Sequence, residues 1–200
     1  MSPRTKEQFK EIRESSRTEI LNAALELFAT NGFHATSISQ IAAKAGISKG
    51  LMYNYFKSKD DLLKQVIEEG FNVLNGLMLS LSGEKDARTA LEKVIHLSFE
   101  LIKNNVTYWK LYMSLMLQSV AQKEIESLMM KFRDESIEEL SRLFGAIGDN
   151  EPYLKAFALG TQLDGIGLNY VSAPDSFPID ELEKFLINTY CLPRNKRKKK

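Results

Sequence analysis

Residues 36–59, TSISQIAAKAGISKGLMYNYFKSK, read as two short helices joined by a tight glycine turn, with lysines, hydroxyls and tyrosines gathered on the second. Ile38, Ile41, Ala42 and Ala45 recur at helical spacing, Gly46 can take the left-handed conformation that closes a helix, and Ser48 can cap the next. In that second helix Met52 and Phe56 lie four apart and share a face with Ile47 and Ser48, while Lys49, Tyr53 and Lys57 form a separate stripe. One side packs and the other is turned outward. Between Leu27 and Lys59 there is no Asp or Glu, but there are Lys44, Lys49, Lys57 and Lys59, so the outward side meets a polyanion without acidic repulsion. Helix-turn-helix geometry also serves as plain scaffold in proteins that bind no nucleic acid, and the spacing alone leaves a solvated three-helix bundle open.

The flanks complete a small domain. Residues 1–16 are polar apart from Phe9 and Ile12, and Thr5 with Gln8, or Ser16 with Glu19, fits a capping box that would start the first helix. Ile20, Ala23, Ala24, Leu27 and Phe28 then make one apolar face, which Asn31-Gly32 ends. Ser58, Asp60 and Asp61 open a long helix running to about Leu81, with Leu62, Leu63, Val66 and Ile67 behind the acidic start and Gly70 and Gly76 weakening its course.

From residue 17 to residue 63 the chain resembles the tetracycline-repressor (TetR) family of bacterial transcriptional regulators. The resemblance is carried by RTEILNAALELFATNGF, TSISQIAAKAGISKGLMYNYF and KSKDDLL, with Ala23, Ala24, Phe28, Gly32, Phe33, Thr36, Ile41, Ala42, Gly46, Ser48, Gly50, Tyr53, Phe56, Lys59 and Leu62 in order and at the right spacing. It implies an all-α fold with an N-terminal helix-turn-helix domain (1–59) and a C-terminal helical domain for ligand binding and dimerisation (60–193); the pattern along the chain counts about nine helices, and residues 194–200 read from their charge as a basic disordered tail.

The charge distribution agrees with that division. The net charge of +1 conceals nine basic against five acidic residues in 1–59, 12 against 21 in 60–193, and six basic residues in the tail RNKRKKK. A hydrophobic content of 44 % supplies a core. One cysteine, Cys191, allows no intrachain disulfide, and no N-terminal apolar run resembles a signal peptide, so the expected location is the cytoplasm. Charge-free windows reach only about a dozen residues against the roughly 20 needed to cross a bilayer.

Beyond the long helix, Asp86 caps a segment bearing Leu91, Val94, Ile95, Leu101 and Ile102 that Lys103-Asn104-Asn105 ends. Helices are expected from Val106 to about Ser119, from Lys123 to about Ile147, from Pro152 to Val171, and from about Pro178 to Cys191, with no strand and no internal repeat.

The resemblance implies that the second hairpin helix enters the major groove, which makes Ser48, Lys49, Gly50, Leu51, Tyr53, Asn54 and Tyr55 the expected DNA-contacting residues. Lys49 can donate to a guanine edge or a phosphate, Gly50 permits close backbone approach, and the Tyr53 hydroxyl can reach a phosphate. Thr36, Ser37 and Lys59, at helix starts, are expected as phosphate clamps. Leu51 departs from the small or hydroxyl-bearing residue usual there. It either touches a thymine methyl or turns inward beside Met52, and the first is favoured because Met52 and Phe56 already fill the inner face.

In the middle of the chain, Met and aromatic residues at helical spacing are mostly core. The resemblance adds a small-molecule pocket, for which Trp109, Tyr112, Met116 and Met129, with His96 as a polar point, are the expected lining. The segment AFALGTQLDGIGLNYV places Gly160, Gly165 and Gly167 where alanine would favour helix more, which suggests close helix approach. Leu154, Phe157, Gly160, Gly165, Leu168, Leu182, Phe185 and Leu186 are therefore expected at a homodimer interface, against the alternative of an intrachain hairpin.

Catalytic equipment is sparse. The chain has two histidines, His34 and His96, neither with a metal-ligand partner four residues on, and no glycine-rich phosphate loop, so neither enzyme, metal site nor cofactor is expected. The expected function is a ligand-responsive regulator, a repressor that binds a palindromic operator in double-stranded DNA as a homodimer and is released by a small molecule. The alternative is a helical interaction or ligand-binding module without sequence-specific DNA recognition.

Overall fold

The computed structural model describes residues 5–80, 84–117 and 123–192. Among these residues are nine α-helices, a 3-10 turn at Pro174–Ser176 and no strand. The helices are α1 (Lys6–Asn31), α2 (Ile38–Lys44), α3 (Lys49–Met52), α4 (Lys59–Ser80), α5 (Ala87–Asn104), α6 (Val106–Leu117), α7 (Lys123–Ala146), α8 (Pro152–Ser172) and α9 (Ile179–Tyr190). The all-α class is as expected. The expected ends at Leu81 and Ser119, and the tail 194–200, lie outside the described residues.

Two compact units form, Met1–Asn72 with Lys110–Ser119 and Val73–Trp109 with Val120–Lys200. In the first, α1 starts at the earlier of its two possible caps: Gln8 N–H donates to Thr5 Oγ1 (3.3 Å) and Thr5 N–H to Gln8 Oε1 (2.9 Å). Gly32 ends α1 at φ 82°, where a side chain would be strained, and donates back to the Phe28 carbonyl. Ile20, Ala24, Phe28, Phe33, Ile41, Ala42, Met52, Phe56, Leu62 and Leu63 are all buried. A hydrogen-bond chain fastens α1 to α4, from Arg17 Nη2 to Gln65 Oε1 (2.8 Å) and from Gln65 Nε2 to Asp61 Oδ1 (2.9 Å).

The second unit is built on α5, α7, α8 and α9. Leu91, Ile95, Phe99 and Ile102 of α5 bury with Leu140 and Phe144 of α7, Leu159 and Leu163 of α8, and Leu186 and Tyr190 of α9. The Asp86 carboxylate caps α5 by accepting from Thr89 N–H (3.1 Å), and Pro152 stands in the first turn of α8, where a missing N–H costs nothing. Arg88 donates to the carbonyl of Cys191 (3.0 Å), closing the end of α9 onto the start of α5. Among the described residues no helix is long and apolar enough to cross a membrane.

Candidate nucleic-acid interface

The hairpin is specified by local hydrogen bonds. Ser37 caps α2 in a reciprocal box with Gln40, Gly46 turns the chain at φ 67°, and Ser48 Oγ caps α3 by accepting from Leu51 N–H (3.1 Å). α3 is one turn long and continues as tight turns, with Asn54 and Tyr55 N–H donating to the carbonyls of Leu51 and Met52. Met52 and Phe56 are fully inside, while Lys49, Tyr53 and Lys57 are exposed. The two stripes therefore separate as the spacing predicts.

The exposed lysines are not equivalent. Lys44 pairs with Glu26 (2.8 Å), an acid immediately outside the acid-free stretch, so its charge is partly answered within the chain. Lys49 and Lys57 have no ion-pair partner among the described residues. Leu51 is 39 % exposed and Tyr53 52 %, and Asn54, Ser37 and Ser48 also lie at the surface, with the two serine hydroxyls facing their own helix starts. Tyr55 is half-buried, its ring under the Arg13 guanidinium of α1 at 5.8 Å.

Gly50 has a negative φ, and a methyl group placed there would meet only Ser48 Oγ at 4.0 Å. Nothing within the chain requires glycine at this exposed position. What a missing side chain provides here is room for an outside group.

Two expected phosphate clamps are corrected. Thr36 is 1 % exposed, and its hydroxyl donates to the carbonyls of Gly32 (2.8 Å) and Leu27 (3.2 Å), joining the end of α1 to the start of α2. Lys59 turns its ammonium into the protein, donating to the carbonyls of Phe33 (2.8 Å) and Thr36 (2.9 Å) and lying 4.3 Å from the centre of the Phe33 ring. Both side chains hold the loop before α2. Helix-start position alone did not reveal this, because the carbonyls concerned lie more than 20 residues away from Lys59.

The expected pocket residues fall in both units: Tyr112 and Met116 in the first, His96, Trp109 and Met129 in the second. His96 is a correction. Its side chain is 58 % exposed and Nδ1 lies 2.6 Å from Glu183 Oε1, in an ionic cluster with Lys103, Glu100 and Asp180. Met116 is also half exposed, whereas Met129 is buried and Trp109 packs at the edge of the second core. Sequence reasoning overlooked Asp164 of α8, which has no hydrogen-bond partner among the described residues and whose carboxyl burial pushes up to about 6. Cys191 is buried and its thiol pushed up to about 11, first by burial and then by Glu92, which makes it a poor nucleophile.

The expected interface residues divide as well. Leu154, Phe157, Leu168 and Phe185 are exposed apolar side chains, joined by Tyr153, and Gly165 looks onto open space beside a shallow groove of about 220 Å³ between α8 and α9. Leu182 is half-buried along that groove. Gly160 and Leu186 are corrections. A methyl at Gly160 would stand 3.1 Å from Ile137 Cδ1 of α7, and Leu186 is 2 % exposed within its own unit's core, so intrachain packing accounts for both. Gly167 is likewise explained internally, by the Trp109 ring 3.0 Å from where its methyl would be.

Comparison with known proteins is consistent with this geometry. Residues 20–66 match the family model described as bacterial regulatory proteins, tetR family. The HTH-type transcriptional activator FasR of Mycolicibacterium smegmatis is 31 % identical over 100 residues, covering 50 % of this chain and 46 % of FasR. The HTH-type transcriptional repressor KstR2 of Rhodococcus jostii is 30 % identical over 129 residues, covering 64 % of this chain and 59 % of KstR2. The chain thus spans about half the length of the curated relatives it matches. Among solved structures, the transcriptional regulator FadR from Bacillus subtilis in complex with stearoyl-CoA superposes with a TM-score of 0.74 at 21 % identity, over 87 % of this chain and 97 % of that one, a likeness of fold.

Proposed function

The chain belongs to the tetR family of bacterial regulatory proteins, and from this we propose that it is a DNA-binding transcriptional regulator, a repressor that leaves a palindromic operator when a small molecule binds its second unit. The observation that carries the reading is the hairpin's division of labour: Met52 and Phe56 inside, and Lys49, Leu51, Tyr53 and Lys57 outside with Gly50 open among them. Such a face offers cations and a hydroxyl to phosphates, a close backbone approach at Gly50, and an aliphatic tip at Leu51 for a thymine methyl. The stretch supplies no carboxylate of its own to that contact; Asp61 on the Lys57 N–H and Glu26 on the Lys44 ammonium come from outside it.

Homodimerisation belongs to the same reading, because two heads related by a two-fold axis read two half-sites about one DNA turn apart, or a multiple of it. The apolar side chains left exposed on α8 and α9 supply the surface. Stearoyl-CoA, the ligand of the FadR structure, is the first compound to test as the releasing effector. A protein acting on chromosomal DNA resides in the cytoplasm.

The test is selection from fragmented genomic DNA at a fixed salt concentration, followed by titration of the selected duplex. Recovery of palindromes, with Lys49→Ala weakening binding by about 1–3 kcal/mol while the thermal midpoint is kept, supports the reading. Retention that is weak and blind to sequence assigns the hairpin to scaffold in a helical interaction or ligand-binding module.

A further inference from the structure

The helix α1 is longer than its packing requires. Every residue from 5 to 15 is exposed, so nearly three turns, about 15 Å of helix, project from the part that Ile20, Ala24 and Phe28 bury. The capping box at Thr5 shows that this extension is specified as helix.

Its charges are sorted, not mixed. Lys6, Lys10, Arg13 and Arg17 recur at intervals of four, three and four and fall on one face, while Glu7, Glu11 and Glu14 recur the same way on the next. An exposed helix gains most from alternating signs at i and i+4. Here Lys6 stands four from Lys10 and Glu7 four from Glu11, like-charge placements that cost a few tenths of a kcal/mol each, set against the opposite-charge placements Glu7–Lys10, Lys10–Glu14 and Glu14–Arg17 along the border of the two rows. No ion pair engages Lys6, Lys10 or Arg13 among the described residues.

The basic face has a direction. It continues the face that packs, because Ala24 and Phe28 extend the same helical row, and it meets the hairpin where Arg13 lies over Tyr55, two residues from the exposed Tyr53. Its far end is anchored, since Arg17 is hydrogen-bonded to Gln65 of α4.

We infer that the basic row Lys6–Lys10–Arg13 on the projecting start of α1 is a second DNA-contacting surface, which grips backbone phosphates beside the half-site read by the hairpin. It rests on the regulator reading. The row holds its cations about one helical turn apart and, set against phosphates, offers them charge alone. It therefore strengthens binding without selecting sequence.

The experiment compares the full chain with Lys6→Gln/Lys10→Gln, which leaves both Arg13 and the hairpin untouched, on the duplex selected from genomic DNA. The readouts are the slope of log Kobs against log salt and the hydroxyl-radical footprint. The double variant is expected to flatten the slope by about two per subunit and to lose protection at the outer edges of the footprint while keeping the central protection. An unchanged slope and footprint overturn the inference. So does an equal and opposite change in slope for Glu7→Gln/Glu11→Gln, which would report net charge and not the row. If the unaltered chain selects no duplex, it is the regulator reading that fails, before the variant is tested.

Discussion

The ammonium of Lys59 lies 2.8 Å from the carbonyl oxygen of Phe33 and 4.3 Å from the centre of its ring, with the Thr36 carbonyl as a second acceptor at 2.9 Å. A residue at the start of α4 thus holds the loop that sets α2. Lys59→Met keeps the length of the side chain and removes its donors, leaving carbonyls to find water. The variant is expected to unfold with about 1–3 kcal/mol less stability. The salt slope of its DNA binding should stay at the value of the unaltered chain, since the charge faces inward. A slope shallower by about one per subunit with unchanged stability would return Lys59 to the phosphate-contacting set.

Gly50 separates folding from binding. Alanine there meets nothing closer than 4.0 Å and removes a backbone-entropy cost, so Gly50→Ala is expected to hold the folding stability or raise it by up to about 1 kcal/mol, with a thermal midpoint unchanged or higher. If a DNA backbone or base approaches this position, the same methyl weakens binding of the selected duplex. Equal affinity in the variant would show that the groove surface passes Gly50 by.

How much of this was legible in the sequence depends on how far each signal reaches. Caps and turns are local, and Thr5, Gly32, Gly46, Ser48 and Asp86 perform their expected roles because donor and acceptor lie within four residues, while Ser37, expected against a phosphate, caps α2. Lys59 and Thr36 could not be read that way. Lys59 is satisfied by carbonyls 23 and 26 residues away, set in place only when the domain packs, and Thr36 joins a carbonyl four residues back to one nine back; neither a lysine nor a threonine near a helix start carries a mark of which way it turns. The glycines of α8 illustrate the same limit. Close approach was legible, yet only the fold tells that Gly160 admits Ile137 and Gly167 admits Trp109, while Gly165 remains open.

Asp164 makes a pH-dependent contribution. Burial holds its carboxyl at about 6 in the folded chain, above the ordinary 3.8 that the unfolded chain retains. Between about pH 4 and 6 the folded form therefore binds more protons than the unfolded form. The resulting stability is present in acid and is lost as pH rises through the folded value. Asp164→Asn cannot ionise, so it is expected to be more stable than the unaltered chain at pH 8, by roughly 1–3 kcal/mol, and nearly equal to it at pH 4. Denaturant titrations of both proteins at pH 4, 6 and 8 measure this. A difference that does not change with pH would trace the effect to packing.

The α8–α9 surface has an outcome of its own. Leu154 and Phe185 are each about 60 % exposed, Phe157 and Leu168 about 39 %, and an apolar set of this kind on two adjacent helices is the usual mark of a covering partner. None of the four supports the core of its own unit. Phe157→Glu/Phe185→Glu should therefore leave the fold intact while placing four carboxylates in the symmetric interface of a dimer, where like charges meet across the two-fold axis. Light scattering at micromolar concentration is expected to give twice the chain mass for the unaltered protein and the single-chain mass for the variant, with the same helical content by circular dichroism. Operator affinity should fall with the dimer, because a single head keeps only half of the contacts. A variant that stays dimeric would place the partner elsewhere. An unaltered chain that is monomeric yet binds the selected duplex tightly would remove the two-headed reading altogether.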